Sequence, residues 1–292
     1  NLALNASTGT ITDAVTFSNS GTLALGASGG TLAFINGLTA TAPSARTLKG
    51  TIGSTNAPMT FGSITLGAAS SLNTNATTDV ADLTIGAVTG AGFNLTLATG
   101  GVSGAEITGT SISGVGTLTI TNSGGTTFSG TVAAGTITIT DGAASTAVTF
   151  NGDLTLTTGM TVSAGTAAYN VAINGTTNTI AGATTFANTG TLALGNGSDT
   201  INFTGGVTAT APSAITLNGT VTAAGTGVIT LGDSNTAVTI GGTSTIGGTS
   251  TGQITTGAIA LNNSLTVGAT AATPITLTTV TGPSSGTANL TI

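Results

Sequence analysis

The chain reads as an all-β protein, a single right-handed parallel β-helix (β-solenoid) of roughly 12 to 16 turns covering residues 1–292 as one continuous domain. Three observations lead there: a long internal repeat, short apolar segments with a period of two, and a composition that fills a narrow core but not a wide one.

The repeat is the strongest of the three. Residues 11–51, ITDAVTFSNSGTLALGASGGTLAFINGLTATAPSARTLKGT, match residues 180–220, IAGATTFANTGTLALGNGSDTINFTGGVTATAPSAITLNGT, without a gap and with more than half the positions identical. The differences between the copies have a pattern. Leu23, Leu25, Leu32 and Phe34 become Leu192, Leu194, Ile201 and Phe203, apolar in both. Ala33, Ile35, Ala27 and Gly30 become Asn202, Thr204, Asn196 and Asp199. Successive strand side chains point to opposite faces, so the first set faces inward, where only a like-sized apolar swap is tolerated, and the second faces outward or turns.

Short alternating runs bounded by Gly, Asn or Ser recur along the chain: SITLG from Ser63, DLTIG from Asp82, FNLTL from Phe93, NVAIN from Asn170, GVITLG from Gly227 and TPITL from Thr273. Helix is disfavoured throughout, because β-branched residues and Gly dominate while Lys, Glu, Gln and Arg are scarce. In the middle, GTLTIT from Gly116, GTITIT from Gly135 and GDLTLT from Gly152 lie 17 to 19 residues apart, close to one turn of a small solenoid. Leu118, Ile137 and Leu154 then stack inward, and Thr117, Thr119, Thr136, Thr138, Thr155 and Thr157 form an outward ladder, the candidate surface site. Hairpin signals between neighbouring strands are few, with Asn-Gly only at Asn36, Asn151, Asn174, Asn196 and Asn218, so an antiparallel sandwich is the lesser alternative.

Composition narrows the function. Aromatic and charged residues are each 3%, and His, Cys and Trp are absent. One or two Leu, Ile, Val or Phe per strand fill a narrow coil, with Gly at the bends. Arg46 and Lys49 are the only basic residues, against eight acids, and the formal charge is −6. Nucleic acid is thereby excluded as a partner, since phosphate neutralisation requires clustered Lys and Arg. No apolar run approaches the roughly 20 residues a membrane helix needs, and no disulfide framework exists. Both ends, NLALN and ANLTI, read as more strand without a cap. That pattern predicts self-association end to end or continuation in a longer chain.

Catalysis finds little to work with. The acids Asp13, Asp79, Asp82, Glu106, Asp141, Asp153, Asp199 and Asp233 are scattered. Asp141 and Asp153 are the best-placed pair for a carbohydrate-active enzyme, but solvated turn residues are the simpler reading. Without His, Cys or usable Lys there is no nucleophile and base pair, so the chain reads as non-enzymatic with no cofactor or metal. LGNGSDTIN at residues 194–202 resembles one calcium-binding nonapeptide of β-roll repeats, yet the first copy has Gly30 in place of Asp199, which favours a polar turn. Arg46 has an inward parity, matching Ile215, and is expected at a corner with its charge snorkelling outward; Tyr169 is expected in the wall with its hydroxyl outward.

The segment at residues 114–139, GVGTLTITNSGGTTFSGTVAAGTITI, is similar to the autotransporter-associated β-strand repeat. It has a GTLTL-type strand, an Asn/Gly turn, an aromatic before Ser-Gly, a Thr-Val strand and AGT. Similar repeats occur in filamentous haemagglutinin-like adhesins. The resemblance implies a right-handed parallel β-helix displayed on the bacterial surface or secreted, with a structural role and no catalytic residues to carry over. The expected function is therefore an extracellular structural protein, a stiff rod forming an adhesin stalk or the subunit of a surface fibre or sheath. The alternative is a binding module for ice or a carbohydrate surface through the outward Thr ladder.

Overall fold

A computed structural model describes residues 1–78, 81–269, 273–283 and 286–292. Among them every regular element is a β-strand and no helix occurs. The chain divides into two compact units, Asn1–Val148 and Thr149–Ile292. Each is a parallel β-solenoid, and together they make about 12 turns.

In the first unit each coil contributes three short strands. Thr22–Leu25, Thr31–Phe34 and Leu38–Ala40 form one coil. The next coil follows with the two halves of Ala45–Gly53 and then Met59–Phe61. Pairing is parallel and in register, like on like: Leu25 opposite Leu48, Leu32 opposite Ile52, and Leu38 opposite Met59. The inward positions are closed to solvent, with Leu25, Phe34, Leu48 and Ile52 at 0% exposure. Each such side chain contributes about 1.5–3 kcal/mol by leaving water. Because equivalent residues stack, the core is a file of apolar side chains rather than a broad interior.

The second unit repeats this arrangement with the second copy of the long repeat. Leu192 lies between Val171 and Ile215, just as Leu23 lies between Leu2 and Arg46. The copies also preserve an aromatic contact between coils: Phe17 meets Phe34 edge-on with centroids 6.1 Å apart, and Phe186 meets Phe203 at 6.0 Å. That geometry sets the positive ring edge against the negative face of its neighbour. Gly26 and Gly195 hold φ of +83° and +80° at the same corner, and a Cβ at either would strike the carbonyl oxygen of Lys49 or Asn218 one coil on. Only glycine fits that bend.

Coil length is not constant. Leu118 pairs with Ile137, nineteen positions on, as the middle of the sequence suggests. Elsewhere the interval runs from 18, Leu48 to Leu66, up to 25, Leu265 to Leu290. Extra residues are absorbed at the corners, so the strands stay aligned. The corners are held by side chains. In the first unit Ser54, Thr74 and Thr99 are buried and their hydroxyls donate to the carbonyls of Ala57, Ala81 and Ala105. Each closes its own corner loop from within, satisfying a polar group that would otherwise be stranded.

Candidate functional site

The outward faces carry the most regular chemistry of the chain. Following the register from coil to coil in the first unit, Thr8, Thr31, Thr51, Ser71, Thr96, Thr119 and Thr138 form one unbroken file. A second file on another face comprises Thr16, Thr39, Thr60, Thr84, Thr108 and Thr127. The second unit has two more: Thr177, Thr200, Thr220, Thr245, Thr266 and Thr291 on one face, and Thr161, Thr185, Thr208, Thr230, Thr255 and Thr276 on another. Thr is stable in strands, and its second branch restricts χ1, so hydroxyls and methyls repeat coil to coil at about 4.8 Å.

Of the residues singled out in the sequence, Thr117 and Thr136 are ladder partners, as are Thr119 and Thr138. Thr155 belongs to the second unit, where it partners Thr179. Thr157 follows it in the strand Leu154–Val162 and is exposed. The expected ladder is thus a small part of a larger array. Its other members were hidden because unequal coils place equivalent residues at unequal sequence intervals. Ala24, which interrupts the Thr pattern in the sequence, lies on a third file with Ala3, Thr47, Thr65, Thr89 and Ser113.

Five of the acids accept main-chain N–H groups. Asp82 Oδ1 accepts from the Glu106 N–H at 2.9 Å, and Asp153 Oδ1 accepts from the Thr177 N–H at 2.9 Å, each bridging one coil to the next. Asp233 Oδ1 accepts from the Asn235 and Thr236 N–H groups within its own turn. Asp141 is buried and accepts from the Gly142 N–H. Asp199, the residue in the calcium-like nonapeptide, is buried and its Oδ2 accepts from the Asn196 N–H at 2.7 Å, closing the turn that begins at Gly195. Among the described residues no group of three His, Cys, Asp or Glu is placed to hold a metal ion. Asp79 lies outside the described residues.

Arg46 departs from expectation. It is 6% exposed, and its guanidinium turns back to donate to the carbonyls of Ala40, Thr41 and Ser63 at the coil corner. It does not snorkel into water. Burial lowers its pKa, because desolvation disfavours the charged form. Tyr169 is fully buried, and its hydroxyl donates to the Ser163 carbonyl at 2.5 Å instead of facing outward. A buried phenol requires such a partner.

Cavities are shallow. One of about 370 Å³ in the first unit is lined by Thr51, Ser70, Ser71, Asn94 and Thr96, alongside the seven-residue hydroxyl file. Another of about 430 Å³ lies by Asn73, Asn75, Thr121 and Asn122. Neither contains a charged group. Among the described residues no helix is long and apolar enough to cross a membrane. No protein-family model matches the chain, and no curated protein and no solved structure matches it.

Proposed function

We propose that the chain is a non-enzymatic extracellular structural protein, a stiff β-solenoid scaffold that forms an adhesin stalk or a surface fibre or sheath. The observation that carries this reading is the use of polar chemistry. Asp82, Asp141, Asp153, Asp199 and Asp233 each accept a main-chain N–H, and the buried hydroxyls of Ser54, Thr74 and Thr99 close corners. Groups so engaged bridge coils, as Asp82 and Asp153 do, or close turns and corners, and are not arranged around a reacting atom. The sequence likeness of residues 114–139 to autotransporter-associated repeats supports an exterior location. Partners in this reading are further strands of the same kind, from a longer chain or a second copy.

Electron microscopy of the purified chain tests the proposal: elongated particles support it, and compact globules reject it. Light scattering over a wide concentration range tests self-association. Growth in mass with concentration is expected for stacking copies, and a constant monomer mass removes that part of the reading.

A second reading, a binding module for ice or a carbohydrate surface, is favoured by one specific observation. The hydroxyls of the outward Thr files make no side-chain hydrogen bond to the protein in Thr16–Thr127 or in Thr177–Thr291, so they are available to an external lattice.

A further inference from the structure

Resting on that second reading, we propose that one face of the 149–292 unit, the face carrying the Thr177–Thr266 file, is an ice-binding surface. This face carries a second, partial file beside the first, as the paired Thr117–Thr136 and Thr119–Thr138 positions do over two coils of the first unit. Thr177, Thr200, Thr220, Thr245 and Thr266 make the first; two residues further along, Thr155, Thr179, Asn202 and Thr222 make the second, which continues as Gly247 and Gly268 beside Thr245 and Thr266. Both point outward because the residues between them, Asn178, Ile201, Val221 and Ile246, are buried. The hydroxyls therefore define a partial two-dimensional net, about 4.8 Å from coil to coil and, at Thr177 with Thr179 and Thr220 with Thr222, about 6.6 Å along the strand.

The chemistry of the net selects its ligand. A Thr hydroxyl both donates and accepts, so it can replace a water molecule in a hydrogen-bonded lattice, while its methyl group keeps disordered water away. The unit contains no Lys or Arg to hold an anion, and its three acids Asp153, Asp199 and Asp233 each accept main-chain N–H groups and are not gathered on this face. Its outward residues are Thr, Asn and Gly, without an aromatic ring to stack on a sugar. That composition favours ice over a polysaccharide. Each hydroxyl contact exchanges one water hydrogen bond for another and gains little alone. A rigid array gains from number: the rotamers are already ordered, so binding costs little side-chain entropy, and all contacts form together.

The full chain is tested by ice-affinity partition and by inhibition of ice recrystallisation, alongside pull-down on insoluble cellulose and chitin. Three variants accompany it: Thr220→Lys, which places a charge in the net; Thr220→Val, which keeps the shape and removes the hydroxyl; and Thr208→Lys, on the other face. Circular dichroism reports folding of each. The proposal expects the parent to partition into ice, Thr220→Lys to lose partition, Thr220→Val to weaken it, and Thr208→Lys to retain it. It is overturned by a parent that stays in the liquid, by equal loss in Thr208→Lys and Thr220→Lys, or by retention on polysaccharide without retention on ice. The scaffold reading is judged separately by particle shape, so the two can fail independently.

Discussion

Arg46 and Ile215 occupy the same place in the two copies of the long repeat, and exchanging them should have opposite consequences. Arg46 is a charge taken out of water, at a cost of several kcal/mol. Its bonds to the carbonyls of Ala40, Thr41 and Ser63 return about 1.5–3 kcal/mol each, as for hydrogen bonds to charged groups. These two terms nearly cancel. Replacing Arg46 with Ile removes both and adds apolar burial of about 1.5–3 kcal/mol beside Leu23, its ladder neighbour. The carbonyls released are not stranded: that of Ala40 still accepts from Gly62 N–H, and Thr41 and Ser63 are exposed residues at the corner. Arg46→Ile should therefore stabilise the chain by about 1–3 kcal/mol.

The reverse exchange meets a filled cage. In the second copy the Thr210 carbonyl, counterpart of the Thr41 carbonyl that Arg46 reaches, is already taken by the Thr236 hydroxyl, which also lies against the Pro212 carbonyl. A guanidinium at residue 215 would be buried with few free acceptors, so Ile215→Arg should cost about 3–5 kcal/mol. Urea unfolding with a common slope measures both. The pH dependence has a definite sign. Burial puts the folded-state pKa of Arg46 below its unfolded value, so its penalty is present below that pKa and vanishes as pH rises through it. The gain in Arg46→Ile should consequently be constant from mildly acid to neutral pH. A loss of more than about 1 kcal/mol in Arg46→Ile would show that the carbonyl cage outweighs desolvation and would refute the reasoning.

Other positions separate the same forces. Thr74→Val keeps the shape of a buried side chain but removes the donor to the Ala81 carbonyl, and should cost about 1–3 kcal/mol in the urea midpoint. Gly26→Ala and Gly29→Ala both place a Cβ at positive φ, +83° and +69°, but only the first drives it into a carbonyl oxygen, that of Lys49. Gly29→Ala should cost about 1–2 kcal/mol, and Gly26→Ala more than that, with a visible loss of soluble folded protein. Phe203→Ala should cost about 3–5 kcal/mol through lost burial and the lost edge contact with Phe186, whereas Asn202→Thr on the opposite face of the same strand should stay within about 0.5 kcal/mol by thermal unfolding.

The sequence carries the parity of each strand clearly and the path between strands poorly. Leu192, Leu194, Ile201 and Phe203 could be placed inward from the two copies alone, because burial forbids polar exchange at those positions and permits it at Asn202 and Thr204. That is a local property, read every second residue. Which Thr stacks on which is not local. Thr39 and Thr60 are twenty-one positions apart, but Thr60 and Thr84 are twenty-four, and Thr108 and Thr127 nineteen. A search at one fixed period finds the Thr119–Thr138 pair and passes over its continuation through Thr96, Ser71 and Thr51.

Arg46 and Tyr169 failed for a related reason. Parity placed both correctly in the wall, but the fate of a polar tip depends on which carbonyls the corner turns toward it. Those carbonyls belong to residues 40, 41 and 63 for Arg46 and to Ser163 for Tyr169, and corner geometry is where the coil varies in length. A like-on-like stack therefore constrains its faces strictly while leaving its corners free to differ. In such a fold the regular faces are the surfaces suited to a periodic ligand, and the irregular corners are where individual side chains, Arg46 among them, acquire a role that their repeat counterparts do not share.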